Sequence, residues 1–219
     1  MAAAADGLHD QYPGLSATSG LDLSIWDVVT EEKYPSLSDI DAILISGSRF
    51  NSFDNDPWIL KLVGFVKEVL ASKRVRIIGV CFGHQIVGRA LGAKVARSDR
   101  GWEVSVTPIE LTERGKEIFG KSSLALHQMH RDAVYNYPEG VEELAYTDKC
   151  PVQGMYVSKQ FITVQGHPEF NEQIVRELLV GRHSSGILDD TIFEDSMARV
   201  GNPQDGVIVA QAFLKFLLE

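Results

Sequence analysis

The segment Val75–Gln85 constrains the fold of this chain more than any other part of the sequence. The apolar run from Val75 to Val80 predicts a buried strand, the residues from His84 onward predict a helix, and Cys81 lies at the turn between them. Glycines two residues before and two after the cysteine match a nucleophile elbow, a strained turn whose neighbours must lack Cβ atoms. The free amides of a helix N-terminus also favour a thiolate there. The segment therefore predicts a cysteine nucleophile.

A packing role for Cys81 is the main alternative, because an unpaired cysteine after an apolar strand is usually a core residue. Packing alone would require neither of the flanking glycines. Short motifs mislead often enough that this one leaves both interpretations open by itself.

A second segment, about 85 residues downstream, supports catalysis. The apolar run Phe161–Gln165 predicts a strand that leads directly into Gly166, His167, Pro168 and Glu169. A thiol nucleophile needs a base that operates near neutral pH, and histidine meets that need. The base needs an orienting group, and Glu169 is placed to hold His167. Glu169 could have a different role, because acidic residues are favoured near the start of a helix. The two segments together nevertheless predict a nucleophile, a base and an orienting residue.

Predicted strands and amphipathic helices alternate along the chain, which is typical of an α/β protein. Strands are predicted at Leu23–Val29, Ala42–Ile45, Val75–Val80 and Phe161–Gln165. Helices are predicted at Pro57–Ala71, His84–Leu91, Thr112–Phe119, Asn171–Gly181, Ile187–Val200 and Gly206–Leu218. Short alternating runs between Ala93 and Val164 predict an extension of the sheet that covers the site.

Composition limits the classes of partner and site. A net charge of -9 argues against a surface for nucleic acid or anionic membrane. The chain has two cysteines, Cys81 and Cys150, and no Cys or His pair with metal-ligand spacing, so neither a disulfide framework nor a metal site is expected. Residues 1–6 lack the features of a secretory signal, and no apolar run is long enough to cross a bilayer. We expect a cytoplasmic protein, where the thiol stays reduced.

The two motifs, Gly79–Gln85 and Gly166–Glu169, together resemble those of the class I, triad-type glutamine amidotransferases. The similarity extends from about Trp26 to the C-terminus, and residues 47–59 are most similar to the stand-alone, GMP-synthase-like members of fungi and plants. Those members include the plant γ-glutamyl peptidases. The resemblance implies a three-layer flavodoxin-like fold, with a mostly parallel central sheet and helices on both faces.

The resemblance also implies roles for particular residues. The triad would be Cys81, His167 and Glu169, acting without a cofactor. Backbone amides at Phe82 and near Gly47 and Ser48 would form the oxyanion hole. Three further side chains are candidates for contact with the substrate, namely Gln85, His130 and Asp132. His130 and Asp132 are as readily explained as residues that hold their loop together.

One segment departs from the family pattern. Members begin with an apolar strand in the middle of the sheet, whereas residues 1–20 are rich in Ala, Gly and Ser and lack a β-branched run. We therefore expect a single amidotransferase domain over residues 21–219, preceded by an atypical segment without the usual first strand. A truncated gene product and a strand built from residues 2–8 remain the two explanations.

Three functions are compatible with these expectations. The first is hydrolysis of a γ-glutamyl amide through a glutamyl thioester, with ammonia passed to a separate synthetase subunit. The second is a stand-alone γ-glutamyl peptidase that acts on glutathione-like conjugates. The third is a non-enzymatic binding protein on the same fold, which the intact triad disfavours. The substrate is a small γ-glutamyl compound in the first two.

Overall fold

A computed structural model of the chain describes residues 21–219. The predicted N-terminal segment, residues 1–20, lies outside the described residues. The boundaries of the predicted single domain stay a prediction.

Nine strands are present in this part of the chain. They are β1 Ala42–Ile45, β2 Arg76–Val80, β3 Val95–Arg97, β4 Glu103–Leu111, β5 Ser123–His130, β6 Asp132–Val134, β7 Glu142–Tyr146, β8 Gly154–Val157 and β9 Phe161–Val164. Seven of them form one sheet in the order β1-β2-β9-β8-β7-β4-β5, and β3 pairs with β6 in a separate two-stranded sheet.

Helices of residues 21–219 cover both faces of the large sheet. They are α1 Pro57–Ser72, α2 Phe82–Ala90, α3 Glu113–Phe119, α4 Glu172–Ser184, α5 Asp190–Arg199 and α6 Gly206–Leu217, with one 3-10 turn at Leu37–Asp39. Residues of α1 and α2 pack with Ile77 and Phe161, whereas residues of α3 and α6 pack with Ile78 and Ile162. Successive strand residues point to opposite faces, so these alternating contacts define three layers. The α/β fold class is confirmed.

The sheet is mixed, and less parallel than the resemblance implied. The pairings β1–β2 and β2–β9 are parallel, and the pairings from β9 through β8, β7 and β4 to β5 are antiparallel. The reason lies in the connections. Helices α1 and α2 follow β1 and β2, and parallel strands need such long crossovers, whereas β8 reaches β9 through a short loop that reverses the chain.

The predicted strand at Leu23–Val29 is wrong, because residues 21–27 form no strand and a turn follows at residues 28–31. The Asp27 side chain accepts hydrogen bonds from the backbone amides of Val29 and Thr30, which closes that turn. The apolar side chains before it stay exposed, Ile25 at 79%. An apolar run becomes a strand only where a neighbour supplies backbone partners, and none of the described strands pairs with this run.

The predicted helices are all present, with ends shifted by a few residues. Helix α1 begins with Pro57 in its first turn, as the sequence predicted, and ends at a left-handed Lys73. No described helix has the length and apolar character needed to span a membrane.

Candidate active site

Three neighbouring parallel strands end at the same edge of the sheet, and each leads into a predicted site segment. Strand β1 leads to Gly47, β2 leads to Cys81, and β9 leads to His167. Because the carboxyl ends of parallel strands share one edge, residues far apart in sequence meet there.

The turn between β2 and α2 has the geometry of an elbow. Cys81 has φ 51° and ψ -101°, a strained conformation for a residue with a Cβ atom, and Phe82 is the first residue of α2. A Cβ atom on Gly83 would collide with the carbonyl oxygen of Ile45, and one on Gly79 would lie 2.9 Å from the carbonyl carbon of Gly83. The flanking glycines are therefore required by close packing of strand, turn and helix.

The thiol of Cys81 is buried, with 6% of the residue exposed, and it forms no disulfide within residues 21–219. Its backbone amide donates to the carbonyl oxygen of Val164 at 3.0 Å, which ties the elbow to the end of β9. The nucleophile candidate and the histidine segment are thus joined through the backbone of two adjacent strands.

The imidazole of His167 is held on several sides. Its Nδ1 lies 2.6 Å from Oε1 of Glu169, and its ring stacks on Phe170 with centroids 4.0 Å apart. The His167 amide donates to the carbonyl oxygen of His127 at 2.8 Å. The loop is held in turn by α6, where a Cβ atom on Gly206 would collide with the carbonyl oxygen of Pro168.

Charge around His167 favours its protonated form. Burial alone would lower its pKa, but the neighbouring Glu169 and Cys81 raise the pKa of His167 to about 10. His127 behaves in the opposite way, because burial and the charge of His167 lower its pKa to about 4. The site therefore contains one cationic and one neutral imidazole near neutral pH.

Of the predicted oxyanion residues, Gly47 lies against the imidazole of His167. A Cβ atom on Gly47 would lie 2.6 Å from Cε1 of His167, so this glycine packs directly on the imidazole. Ser48 follows as an exposed residue, and its hydroxyl accepts from the amide of Phe50 at 3.3 Å. The first amides of a helix have no partner within the helix, which leaves the Phe82 amide available for an anion.

The three predicted substrate contacts lie together, and each of them binds other groups of the protein. The Gln85 amide nitrogen donates to the carbonyl oxygen of Asp132 and to Oε1 of Gln165, both at 3.0 Å. The Gln85 oxygen accepts from the Ser52 hydroxyl at 2.8 Å. The Asp132 carbonyl oxygen also lies 3.0 Å from Nδ1 of His130. These contacts favour the loop-holding role, and direct contact with substrate stays a prediction.

His130 faces Glu103 in a buried contact, with 3.0 Å between Nε2 and Oε2. Burial alone would raise the pKa of Glu103, but contacts with His130 and Thr147 hold it below its usual value. Cys150 completes a group of possible metal ligands with these two residues. Its thiol donates to the Val152 carbonyl oxygen, and burial raises its pKa far above the usual value.

Sequence reasoning missed several residues that shape the site. Phe170 stacks on His167, and its position directly after Glu169 is a signal that could have been used. Arg182 and Trp102 contact each other with 5.2 Å from the guanidinium carbon to the ring centroid, and no local pattern predicts that pair. His127 is buried, and its Nδ1 lacks a partner within residues 21–219.

Known proteins resemble this chain along most of its length. A glutamine amidotransferase-like protein of Schizosaccharomyces pombe is 38% identical over 206 residues, which cover 89% of this chain and 83% of that protein. Gamma-glutamyl peptidase 2 of Arabidopsis thaliana is 32% identical over 178 residues, which cover 77% of this chain and 71% of the peptidase.

A solved structure shows the same fold at low identity. The glutamine amidotransferase of Thermotoga maritima superposes with a TM-score of 0.75 at 16% identity, covering 97% of this chain and 92% of that one. The sequence profile described as glutamine amidotransferase class-I matches residues 16–178. The match spans most of the chain and includes the elbow and the histidine loop, and it shows that the chain belongs to the class I glutamine amidotransferase family.

Proposed function

We propose that the protein hydrolyses γ-glutamyl amides through a glutamyl thioester on Cys81. The Cys81 sulfur attacks the side-chain amide carbonyl while its proton resides on His167. The tetrahedral intermediate then collapses as His167 gives that proton to the leaving nitrogen, which departs as ammonia or an amine. Water attacks the thioester, His167 takes a proton from the water, and glutamate leaves as the thiolate is restored.

Glu169 acts in this proposal by holding His167 through Nδ1 and stabilising the imidazolium. The 2.6 Å contact between the two side chains, beside a strained elbow cysteine, is the observation that carries the proposal. Stacking on Phe170 supports it further, because the ring is held in one orientation.

The oxyanion of the tetrahedral intermediate would be bound by the backbone amides at Phe82 and near Gly47 and Ser48. Such donors are fixed before the reaction, so they stabilise the developing charge without reorganisation. Loss of one such donor costs roughly a hundredfold in rate or more.

The test compares the two cysteines of the chain. Purified Cys81→Ala protein is assayed for glutamate release from glutamine and from glutathione, with Cys150→Ala as the matched control. Cys150 is also buried, so loss of a buried thiol is common to both variants. We expect Cys81→Ala to abolish turnover and Cys150→Ala to keep it. Turnover retained by folded Cys81→Ala protein would exclude the mechanism.

A γ-glutamyl peptidase acting alone is the second candidate. Two peptidases of Arabidopsis thaliana, at 32% and 34% identity, favour it. A solved structure from Thermoplasma acidophilum, described as a GMP synthase subunit, has a TM-score of 0.58 at 26% identity and favours ammonia transfer to a separate synthetase. Faster turnover of glutathione than of glutamine by the isolated protein would support the peptidase, and activation by a synthetase would support the glutaminase. Either activity requires a reduced thiol, so we place the protein in the cytoplasm.

A further inference from the structure

Arg182 is a half-buried arginine in the last turn of α4. Other half-buried arginines have an acceptor, as Arg199 reaches the carboxylate of Asp195, and Arg76 and Arg89 donate to backbone carbonyl oxygens. Within residues 21–219, no carboxylate lies at ion-pair distance from the Arg182 guanidinium, and no acceptor forms a hydrogen bond with it. Among the described residues, the Arg182 guanidinium therefore has no anionic partner.

The contact that Arg182 does make is with an aromatic ring. Its guanidinium carbon lies 5.2 Å from the centroid of the Trp102 ring. Trp102 directly precedes Glu103, which pairs with His130 at the end of β5. A guanidinium held over an indole keeps its N–H edge for a planar acceptor such as a carboxylate.

Packing relates Arg182 to the candidate active site. The Trp102 ring beside its guanidinium packs against the same apolar cluster as Phe170, the residue that stacks on His167. Burial lowers the pKa of Arg182, and Cys81 acts in the opposite direction, in agreement with this placement.

The helix itself explains only part of this arrangement. A basic residue in the last turn of a helix is favoured by the helix dipole, and His183 lies in the same turn of α4. An exposed basic side chain would be enough to interact favourably with the helix dipole. It does not account for an arginine that loses hydration against Trp102 without gaining a carboxylate.

We propose that Arg182, held on the ring of Trp102, binds the α-carboxylate of the γ-glutamyl group. The inference rests on the proposed function, and it deepens that function by naming the group that selects the substrate. Four carbon–carbon bonds separate this carboxylate from the scissile carbonyl, which places it about 5 Å from the reacting carbon in an extended chain. Glutamine and γ-glutamyl peptides share this carboxylate, so Arg182 serves either candidate reaction.

The test compares glutamine with glutamine α-amide, in which a neutral carboxamide replaces the α-carboxylate. Three variants are measured with both substrates: Arg182→Met, Arg182→Lys and, as the matched control, Arg176→Met. Arg176 lies on the same helix, but its side chain is exposed and pairs with Glu172. The readout is KM and kcat for each pair of protein and substrate.

We expect Arg182→Met to raise KM for glutamine roughly 10- to 100-fold, because a charge-assisted contact with the substrate is lost. KM for the α-amide should stay within about twofold, since that substrate has no carboxylate to lose. Arg182→Lys should fall between, because it keeps the charge but not the planar fork. Arg176→Met should match the wild type. An equal loss for both substrates, or no loss for either, would overturn the proposal.

A binding measurement separates this inference from the catalytic one. Calorimetry with Cys81→Ala protein measures binding of the two ligands without turnover, before and after Arg182→Met is added. If no γ-glutamyl compound is hydrolysed by the wild type but glutamine still binds through Arg182, the proposed function fails and the carboxylate site stands. If the wild type hydrolyses glutamine but Arg182→Met changes neither KM nor binding, the carboxylate site fails. Equal binding of both ligands, or binding of neither, also overturns it.

Discussion

The two halves of the large sheet differ in what they contribute. The parallel half, strands β1, β2 and β9, brings Gly47, Cys81 and His167 to one edge. The antiparallel half, strands β8, β7, β4 and β5, carries a buried polar network that includes Glu103 and His130. The ends of the parallel strands therefore position the candidate reacting groups. The antiparallel strands are instead joined by buried polar side chains that bind one another. Changes in the first half should affect rate, and changes in the second should affect stability.

After the loss of Cys81 itself, the largest effect on rate is expected in the histidine loop. His167→Ala removes the proposed base and should lower kcat by about 10⁴-fold, and Glu169→Gln should lower it by roughly 10²- to 10⁴-fold, because the imidazole loses its orienting charge. Steady-state glutamate release measures both, and thermal unfolding verifies folding. A Glu169→Gln protein with wild-type kcat would show that the 2.6 Å contact has no catalytic role.

A smaller loss of rate is expected at Gly47. In Gly47→Ala the new methyl group would lie 2.6 Å from Cε1 of His167, so either the imidazole or the loop must move. We expect kcat to fall roughly a hundredfold, since small displacements of a catalytic group carry such costs. Gly64→Ala on α1 is the control, because no atom lies within 4 Å of its added Cβ. Equal activity of the two variants would mean that Gly47 does not position His167.

The antiparallel half is probed by Glu103→Gln. This change removes the charge that faces His130 in a buried contact, and the unfolding free energy should fall by about 3 kcal/mol. Denaturant titration measures the loss. The same protein should keep kcat within about tenfold, in contrast with the histidine loop variants. A loss of kcat without a loss of stability would contradict the division between the two halves.

The smallest effect is a pH dependence of stability. Burial lowers the pKa of His84 to about 3, against 6.5 for the free side chain. His84 therefore binds a proton below about pH 6.5 in the unfolded chain but not in the folded chain. Its contribution to the unfolding free energy is complete above pH 6.5 and is lost as the pH falls toward 3. The slope is up to about 1.4 kcal/mol per pH unit for this residue.

Denaturant titrations between pH 6.5 and 4.5 measure that slope. His84→Gln should flatten it, because the residue that resists protonation in the folded protein is then absent. His127 contributes in the same direction, because its pKa is also lowered, to about 4. Stability that rises on acidification through this range would contradict the assignment of His84 as a neutral buried residue.

The parallel half of the sheet could be predicted from the sequence better than the antiparallel half. The elbow, helix α1 and the histidine loop have local signals: glycines around Cys81, Pro57 in the first turn of α1, and Glu169 two residues after His167. A strand followed by a helix favours a parallel neighbour, so it could be predicted that β2 and β9 end at the same edge of the sheet.

The remaining features depend on contacts between distant segments. Glu103 meets His130, and Arg182 meets Trp102, only because the chain reverses direction several times in the antiparallel half. Hairpin pairing and register leave weak marks in a single sequence. The error at Leu23–Val29 has the same origin, because the apolar pattern was read without knowing whether a partner strand was available.

Direct observation of the acyl intermediate tests the central claim most closely. Protein mixed with glutamine is quenched in acid within the first turnovers, digested, and examined by mass spectrometry for a peptide that has gained one glutamyl group. The account predicts the adduct on the peptide that contains Cys81, with more of it in Glu169→Gln protein if hydrolysis of the thioester slows more than its formation. Rapid glutamate release with no adduct on Cys81, or with the adduct on Cys150, would contradict the account.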